Sequence, residues 1–373
     1  MVNGITVVFR VDASLAIGSG HVMRCLTLAD ALRVEGAKCY FICREHPGHL
    51  LDLIRSKGFS TYSLNQTRVP VIDDSQAAGF GQSAHAHWLG ATQRQDSEDC
   101  AAILETLKPG WLIVDHYALD VQWEKLLRVH FTKLLVIDDL ADRSHTCDVL
   151  LDQNLGRTEQ DYAELVPTDC QLLIGAQYAL LRPEFSRLRA LSLKRRLSPQ
   201  LAHILITMGG VDQQNTTGAV LNTLKSCCLP ANCTISVIMG LKAPHIASVN
   251  KMASDMPWST EVHLNVTDMG ERMSSADLVI GAAGGTSWER CCLGVPTVLV
   301  IMADNQKSGA QALQQLGSAI VIGVISEIPK DLPSAIYALT DSDTLRAMSE
   351  SASTVSDGLG VQRVIRSMGY GDE

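Results

Sequence analysis

Apolar residues fall along this chain in short β-branched runs separated by helix-like stretches. The first runs are Ile5 to Phe9 and Cys39 to Ile42, with a helix expected between them over Met23 to Glu35. Further runs at Trp111 to Val114, Leu134 to Ile137 and Val149 to Leu151 each end in a polar or acidic cluster. This is the βαβ rhythm of a parallel sheet, and such sheets take ligands at the carboxyl ends of their strands. The polar clusters are therefore where chemistry is to be sought.

A second series of runs begins after Arg182 to Gln200, a stretch holding Pro183, the basic triplet Lys194-Arg195-Arg196 and Pro199. Strands are expected at Ile204 to Met208, Thr234 to Met239, Leu278 to Ile280 and Thr297 to Ile301. The chain thus reads as α/β, with two Rossmann-like domains facing a cleft. The expected division is an N-terminal domain over 1–182, a linker over 183–200, a C-terminal domain over 201–350, and a helix and tail over 351–373. The basic triplet reads as a solvated helix end. Residues from Gln66 to Asp99 show no clear period and read as a long loop, with a helix over Asp96 to Leu107 after it.

Composition narrows the function. With 373 residues, 46% of them apolar, the chain can bury two cores. Acids outnumber bases 40 to 31 for a formal charge of −9, and no long basic stretch offsets this, so nucleic acid is not an expected partner. The apolar run near the N-terminus is too short for a signal peptide or membrane span, and no other run approaches spanning length. The eleven cysteines show no CxxC spacing, which fits a reduced cytoplasmic protein without a zinc site. His85 and His87 have nothing nearby to complete a ligand set and read as an incidental surface pair; no cofactor is expected, and no obligatory metal, because helix ends can neutralise a diphosphate.

Three clusters in the first half carry candidate chemistry. In Arg10-Val-Asp12-Ala-Ser14 through Gly18-Ser-Gly20-His21-Val-Met-Arg24, a strand enters a Gly-x-Gly turn and a helix begins near His21. Free backbone N–H groups there welcome an anion. A helix N-terminus also disfavours the imidazolium form, leaving His21 able to act as a general base. Asp12 is expected to orient that ring or add charge nearby, and Arg24 is a further supporting candidate. A histidine that merely caps its own helix is the alternative. In Asp115-His116-Tyr117, the first two residues read as a buried structural pair and Tyr117 as the substrate contact. The aspartates of Asp138-Asp139 read as caps rather than as acid/base groups.

In the second half, Gly209 and Gly210 follow a strand and would let a ligand approach the backbone. The stretch Gly281-Ala-Ala-Gly284-Gly285-Thr286-Ser287-Trp288-Glu289 is richer. Gly285, Thr286 and Ser287 lie where a diphosphate gains amide hydrogen bonds, and Glu289, one turn on, is placed to take both ribose hydroxyls.

These last motifs resemble the donor half of two-domain nucleotide-sugar glycosyltransferases, notably the lipid II-forming N-acetylglucosaminyltransferases, which implies the glycosyltransferase B architecture. The whole chain is more similar still to the UDP-2,4-diacetamido-2,4,6-trideoxy-β-L-altropyranose hydrolases of pseudaminic acid synthesis. The resemblance runs in order through Arg10-Val-Asp-Ala-Ser14, Gly18-Ser-Gly-His-Val-Met-Arg24, Val114-Asp-His-Tyr117, Ile137-Asp-Asp-Leu-Ala-Asp-Arg143, Leu150-Leu-Asp-Gln-Asn-Leu-Gly156, Tyr178-Ala-Leu-Leu-Arg-Pro-Glu-Phe185, Trp288 to Pro296 and Ala303-Asp-Asn305-Gln306. The chain departs from that family around Met208-Gly-Gly and in the order Gly-Gly-Thr-Ser after Ala283.

The resemblance implies that His21 is the base and that Tyr117 and Asn305 lie near the sugar. It also implies metal-independent hydrolysis at the anomeric carbon with inversion, releasing UDP. The expected partners are a UDP-sugar and water. A glycosyltransferase using the same donor and a noncatalytic nucleotide-sugar binder are the alternatives. The oligomeric state, monomer included, stays open.

Overall fold

The computed structural model describes residues 4–65 and 85–370; most of the expected loop, residues 66–84, lies outside them. The chain divides into two compact units. One comprises Met1–Leu180 together with Val361–Glu373, the other Leu181–Gly360.

The first unit is built on seven strands: β1 (Thr6–Val11), β2 (Lys38–Arg44), β3 (Ser60–Leu64), β4 (Trp111–Asp115), β5 (Lys133–Ile137), β6 (Val149–Asp152) and β7 (Gln171–Ile174). All pair in parallel, in the order β3-β2-β1-β4-β5-β6-β7. The chain lays down β1 to β3 in one direction and then returns to the far side of β1 with β4. That reversal makes the carboxyl ends of β1 and β4 the ligand position of this sheet. Val11 of β1 is in register with Asp115 of β4.

Period-2 alternation sorts β1 between two cores. Val7, Phe9 and Val11 pack with Val22, Cys25 and Ala29 of the helix Gly20–Val34, and with Val361, Val364 and Ile365 of the helix Gly360–Ser367. Val8 faces the other way, toward Leu112, Val114 and Trp123. Arg10 shares that second face and is fully buried. Its guanidinium donates to both oxygens of Asp96 (3.1 and 2.6 Å) and to Asp12 (2.6 Å), while Asp96 also accepts from Arg44 (2.7 Å) and from Trp123 Nε1 (3.0 Å). Breaking one member of such a buried network costs about 3–5 kcal/mol. The network therefore ties the helix Gln93–Leu107, which carries Asp96, firmly to the sheet.

The second unit repeats the plan with six parallel strands: β8 (His203–Thr207), β9 (Thr234–Met239), β10 (Ser259–Leu264), β11 (Leu278–Ala282), β12 (Thr297–Val300) and β13 (Ile320–Ile322). Their order is β10-β9-β8-β11-β12-β13, so the reversal falls between β8 and β11. Among the described residues no helix is long and apolar enough to cross a membrane.

Two expectations need correction. Residues 183–200 do not form an open linker: Pro183–Arg195 is a helix of the second unit, with Pro183 in its first turn, where the missing N–H costs nothing. Nor is the basic triplet uniformly solvated. Arg195 pairs with Asp277, and Arg196 is buried, donating to the carbonyls of Met273, Ser274 and Ala276 at the end of the helix Met269–Ser275. Those carbonyls lack helical partners, and a guanidinium has enough donors to serve several at once.

Candidate active site

At the end of β1 the chain makes a compact turn. Ser14 Oγ accepts from the N–H groups of Ala16 (3.1 Å) and Ile17 (2.9 Å), and Gly18 takes a positive φ of 82° to bring the chain into the helix Gly20–Val34. His21 is the second residue of that helix and Arg24 lies one turn further along. Both meet the carboxylate at the end of β4. His21 Nδ1 lies 2.5 Å from Asp115 Oδ1, while Arg24 donates from Nε to Asp115 Oδ2 and from Nη2 to Oδ1, each at 2.7 Å. Burial works to raise the Asp115 carboxyl, but Arg24 and His21 outweigh it and hold it well below the usual carboxylate range. An ionised Asp115 is acceptor-only, so Nδ1 carries the proton, and in the neutral ring the lone pair is then on Nε2.

A second carboxylate closes the cluster. Asp139, just beyond β5, accepts from Arg24 Nη1 (2.6 Å), from the Tyr117 hydroxyl (2.7 Å) and from Asn154 Nδ2 (3.2 Å). Burial pushes the Tyr117 phenol well up, so it remains a donor. Its ring meets His21 edge-on at 4.6 Å and stacks with Trp88 at 5.6 Å. His21, Arg24, Asp115, Tyr117 and Asp139 therefore form one connected group at the reversal point of the first sheet.

The partners differ from those expected. Asp12 is fully buried but faces Arg10, the backbone N–H of Arg44 (2.6 Å) and His116, whose Nε2 is 3.2 Å from Asp12 Oδ2. Asp115 and His116 do not pair with each other. Consecutive strand-end residues point to opposite sides, so Asp115 reaches the helix while His116 reaches Asp12. Asp138 behaves as a structural group, accepting from Ala141 N and Tyr162 and pairing with Arg143. Its neighbour Asp139 belongs to the cluster, a role that sequence reading missed.

In the second unit, Gly209 and Gly210 follow β8 and Gly284 and Gly285 follow β11, so both glycine turns flank the reversal point of that sheet. A Cβ placed on Gly209, Gly210 or Gly285 meets nothing within 4 Å, leaving the backbone open to close approach. The helix Thr216–Leu224, which follows the first turn, is filled at its start by its own chain: Asp212 accepts from the N–H groups of Thr216 (2.8 Å) and Thr217 (2.9 Å). Thr286 is exposed at the start of the helix Thr286–Cys292, and Ser287 is buried.

Glu289 is largely buried. Burial raises its carboxyl above the ordinary range, with Oε1 3.6 Å from Arg182 and Oε2 without a hydrogen-bond partner. Asn305 lies exposed in a 3₁₀ turn beyond β12, the neighbour of β11. Among the described residues, no group of three or more His, Cys, Asp or Glu side chains is placed to hold a metal ion.

Comparison with known proteins agrees with this architecture. Residues 203–364 match the glycosyltransferase family 28 C-terminal domain. An uncharacterised protein of Methanocaldococcus jannaschii is 24% identical over 300 residues, which is 79% of this chain and 55% of that protein; the chain thus spans little more than half of that relative. A UDP-2,4-diacetamido-2,4,6-trideoxy-β-L-altropyranose hydrolase of Campylobacter jejuni is 25% identical over 312 residues, 83% of this chain and 97% of the relative. Among solved structures, the Acinetobacter baumannii MurG fold superposes with a TM-score of 0.69 at 16% identity, covering 98% of this chain and 99% of that one. The two parallel-sheet α/β domains are those of glycosyltransferase B structures.

Proposed function

We propose that this chain hydrolyses a UDP-linked 2,4-diacetamido-2,4,6-trideoxy sugar at its anomeric carbon, releasing UDP and the free sugar with inversion. The observation that carries this reading is the short contact between His21 Nδ1 and Asp115. With that nitrogen committed, Nε2 accepts a proton from water as the water oxygen attacks the anomeric carbon. The Asp115 charge stabilises the imidazolium that forms. The electron pair of the breaking C–O bond leaves on the β-phosphate of UDP, a stable anion that needs little protonation. Attack from the face opposite the leaving group inverts the centre.

In this reading Tyr117 and Asn305 contact the sugar, and Asp12 and Arg24 support the base, Asp12 only through the strand ends it braces. The turns at Gly209, Gly210, Gly285, Thr286 and Ser287 take the diphosphate, and the unpartnered Oε2 of Glu289 accepts from the ribose. The similarity to the Campylobacter jejuni hydrolase, which covers nearly all of that protein, supports the choice of substrate. A glycosyltransferase reading is favoured by the family 28 match, with His21 then deprotonating an acceptor hydroxyl.

The test is incubation of the purified chain with the UDP-sugar and no acceptor, followed by NMR. Equimolar UDP and free sugar, first seen as the inverted anomer, is the expected outcome. A donor left intact until a hydroxyl acceptor is added would point to transfer instead, and a donor bound but never consumed would reduce the protein to a binding module.

A further inference from the structure

Beneath the second glycine turn lies a guanidinium that the sequence motifs do not use. Arg290 is 1% exposed. It donates from Nη1 to Thr286 Oγ1 (3.1 Å) and from Nη2 to Ser287 Oγ (2.9 Å) and the Ala282 carbonyl (2.8 Å). These acceptors are all neutral, and among the described residues no carboxylate forms an ion pair with it. Glu289, its neighbour in the chain, turns toward Arg182 instead. Arg290 Nε is buried without a partner.

The sequence makes room for this arrangement. A Cβ on Gly281 would come within 2.8 Å of Arg290 Nη1 and 2.9 Å of the Thr207 carbonyl, so β11 carries glycine where the guanidinium passes. Burial pulls Arg290 down to about 10, which still leaves it charged at neutral pH. A buried cation whose direct partners are all neutral is costly in the free protein. An anion bound over the turn would supply the missing charge.

We propose that Arg290 is a positioning residue for the diphosphate of the nucleotide, holding the turn from below and directing the Thr286 hydroxyl outward as a donor. This rests on the reading that the second unit takes a nucleoside diphosphate. The chemistry follows from hydroxyl valence: Thr286 Oγ1 accepts the Arg290 N–H with a lone pair, so its own proton is free to donate to a phosphate oxygen. Because Thr286 is exposed, that donor is open to ligand. The charge below strengthens the bond, as it does for other charge-assisted hydrogen bonds.

The experiment is calorimetric titration of the full chain with UDP and with uridine, using wild type, Arg290→Met, Thr286→Val and the double variant. The wild type should prefer UDP. Arg290→Met should lose about tenfold or more in UDP affinity, the scale of a hydrogen bond to a charged group, with uridine affinity unchanged. Thr286→Val, at an exposed position, should show a UDP-selective loss too. The double variant should lose less than the sum of the two, because the two residues act through one contact.

Equal losses for UDP and uridine, an unaltered UDP preference in Thr286→Val, or strictly additive losses would overturn the role of Arg290. A wild type with no preference for UDP over uridine would instead overturn the diphosphate reading beneath it.

Discussion

The Asp115→Asn substitution puts the His21 base under direct test, because it keeps the shape of the side chain and removes its charge. Asp115 Oδ1 receives both His21 Nδ1 and Arg24 Nη2, whereas Oδ2 receives Arg24 Nε and only the weak Cys25 thiol at 3.5 Å. The asparagine oxygen will therefore settle at the Oδ1 position, where it keeps two donors, and its NH₂ will face Arg24 Nε. Tautomer and ring position survive; the negative charge beside the imidazolium does not. Opposite charges about 4 Å apart interact by about 4 kcal/mol at an effective protein dielectric of about 20. Losing that in the transition state slows turnover roughly 10³-fold.

Arg24 keeps Asp139 at 2.6 Å, so the fold survives, with a stability loss of about 3 kcal/mol for the broken buried pair. UDP release from the UDP-sugar should be followed in steady state, with UDP titrated calorimetrically on the same preparation. The expected result is a collapsed kcat with UDP affinity retained. A folded, UDP-binding Asp115→Asn protein with kcat within about tenfold of wild type would refute the reasoning, since His21 would then need no charged partner.

The remaining predictions probe separate parts of the chain. His21→Ala should cut kcat by about 10²- to 10⁴-fold, the usual worth of a general base, while UDP titrates as in wild type; unchanged turnover would dismiss the imidazole. Glu289→Gln should weaken UDP and uridine alike, by about tenfold for lost ribose contacts, in contrast to the UDP-selective loss expected at Arg290; calorimetry with both ligands separates the two. Burial and the nearby Asp139 push the Asp152 carboxyl up from an ordinary 3.8 to about 7. The fold therefore prefers its protonated form, and the stability this lends is complete below about pH 4 and lost as the pH rises to about 7. Asp152→Asn lacks that dependence, so its stability in urea should gain on wild type through this window by about 1.4 kcal/mol per pH unit; a flat difference would show that Asp152 titrates normally.

What the sequence discloses of the fold depends on where each strand lies in its sheet. Central strands are covered on both faces, so β1, β4, β5, β8, β11 and β12 stand out as unbroken apolar runs. The strands that the apolar runs do not predict, β3, β7, β10 and β13, are the four sheet edges. An edge has fewer neighbours to bury it: β10 has no fully buried residue, and β3, β7 and β13 have one each. The site shows a similar division. The sequence singles out His21, Arg24 and Tyr117, because a turn, a helix start and a strand end announce themselves locally. The carboxylate that meets His21 is 94 positions away. Asp12 and Asp115 look alike as strand-end aspartates, and only the pairing of β1 with β4 decides which of them reaches the helix. Arg196 and Arg290 escape notice because a burial site for a guanidinium is assembled from distant carbonyls and hydroxyls, and neither leaves a pattern in the chain.

The first unit's core is closed by residues from both sides of the second unit in the chain, with Val361, Val364, Ile365, Met368 and Tyr370 seated among residues of β1 and β2. During synthesis those five arrive only after the whole second unit, Leu181–Gly360, has been made. At ribosomal speeds of about 5–20 residues per second, the N-terminal sheet waits roughly 10 to 40 s for them after Leu180 has been made. For that interval part of its apolar surface has nothing to cover it. Removing Val361 to Tyr370 would leave that surface uncovered in the finished protein as well, a source of aggregation.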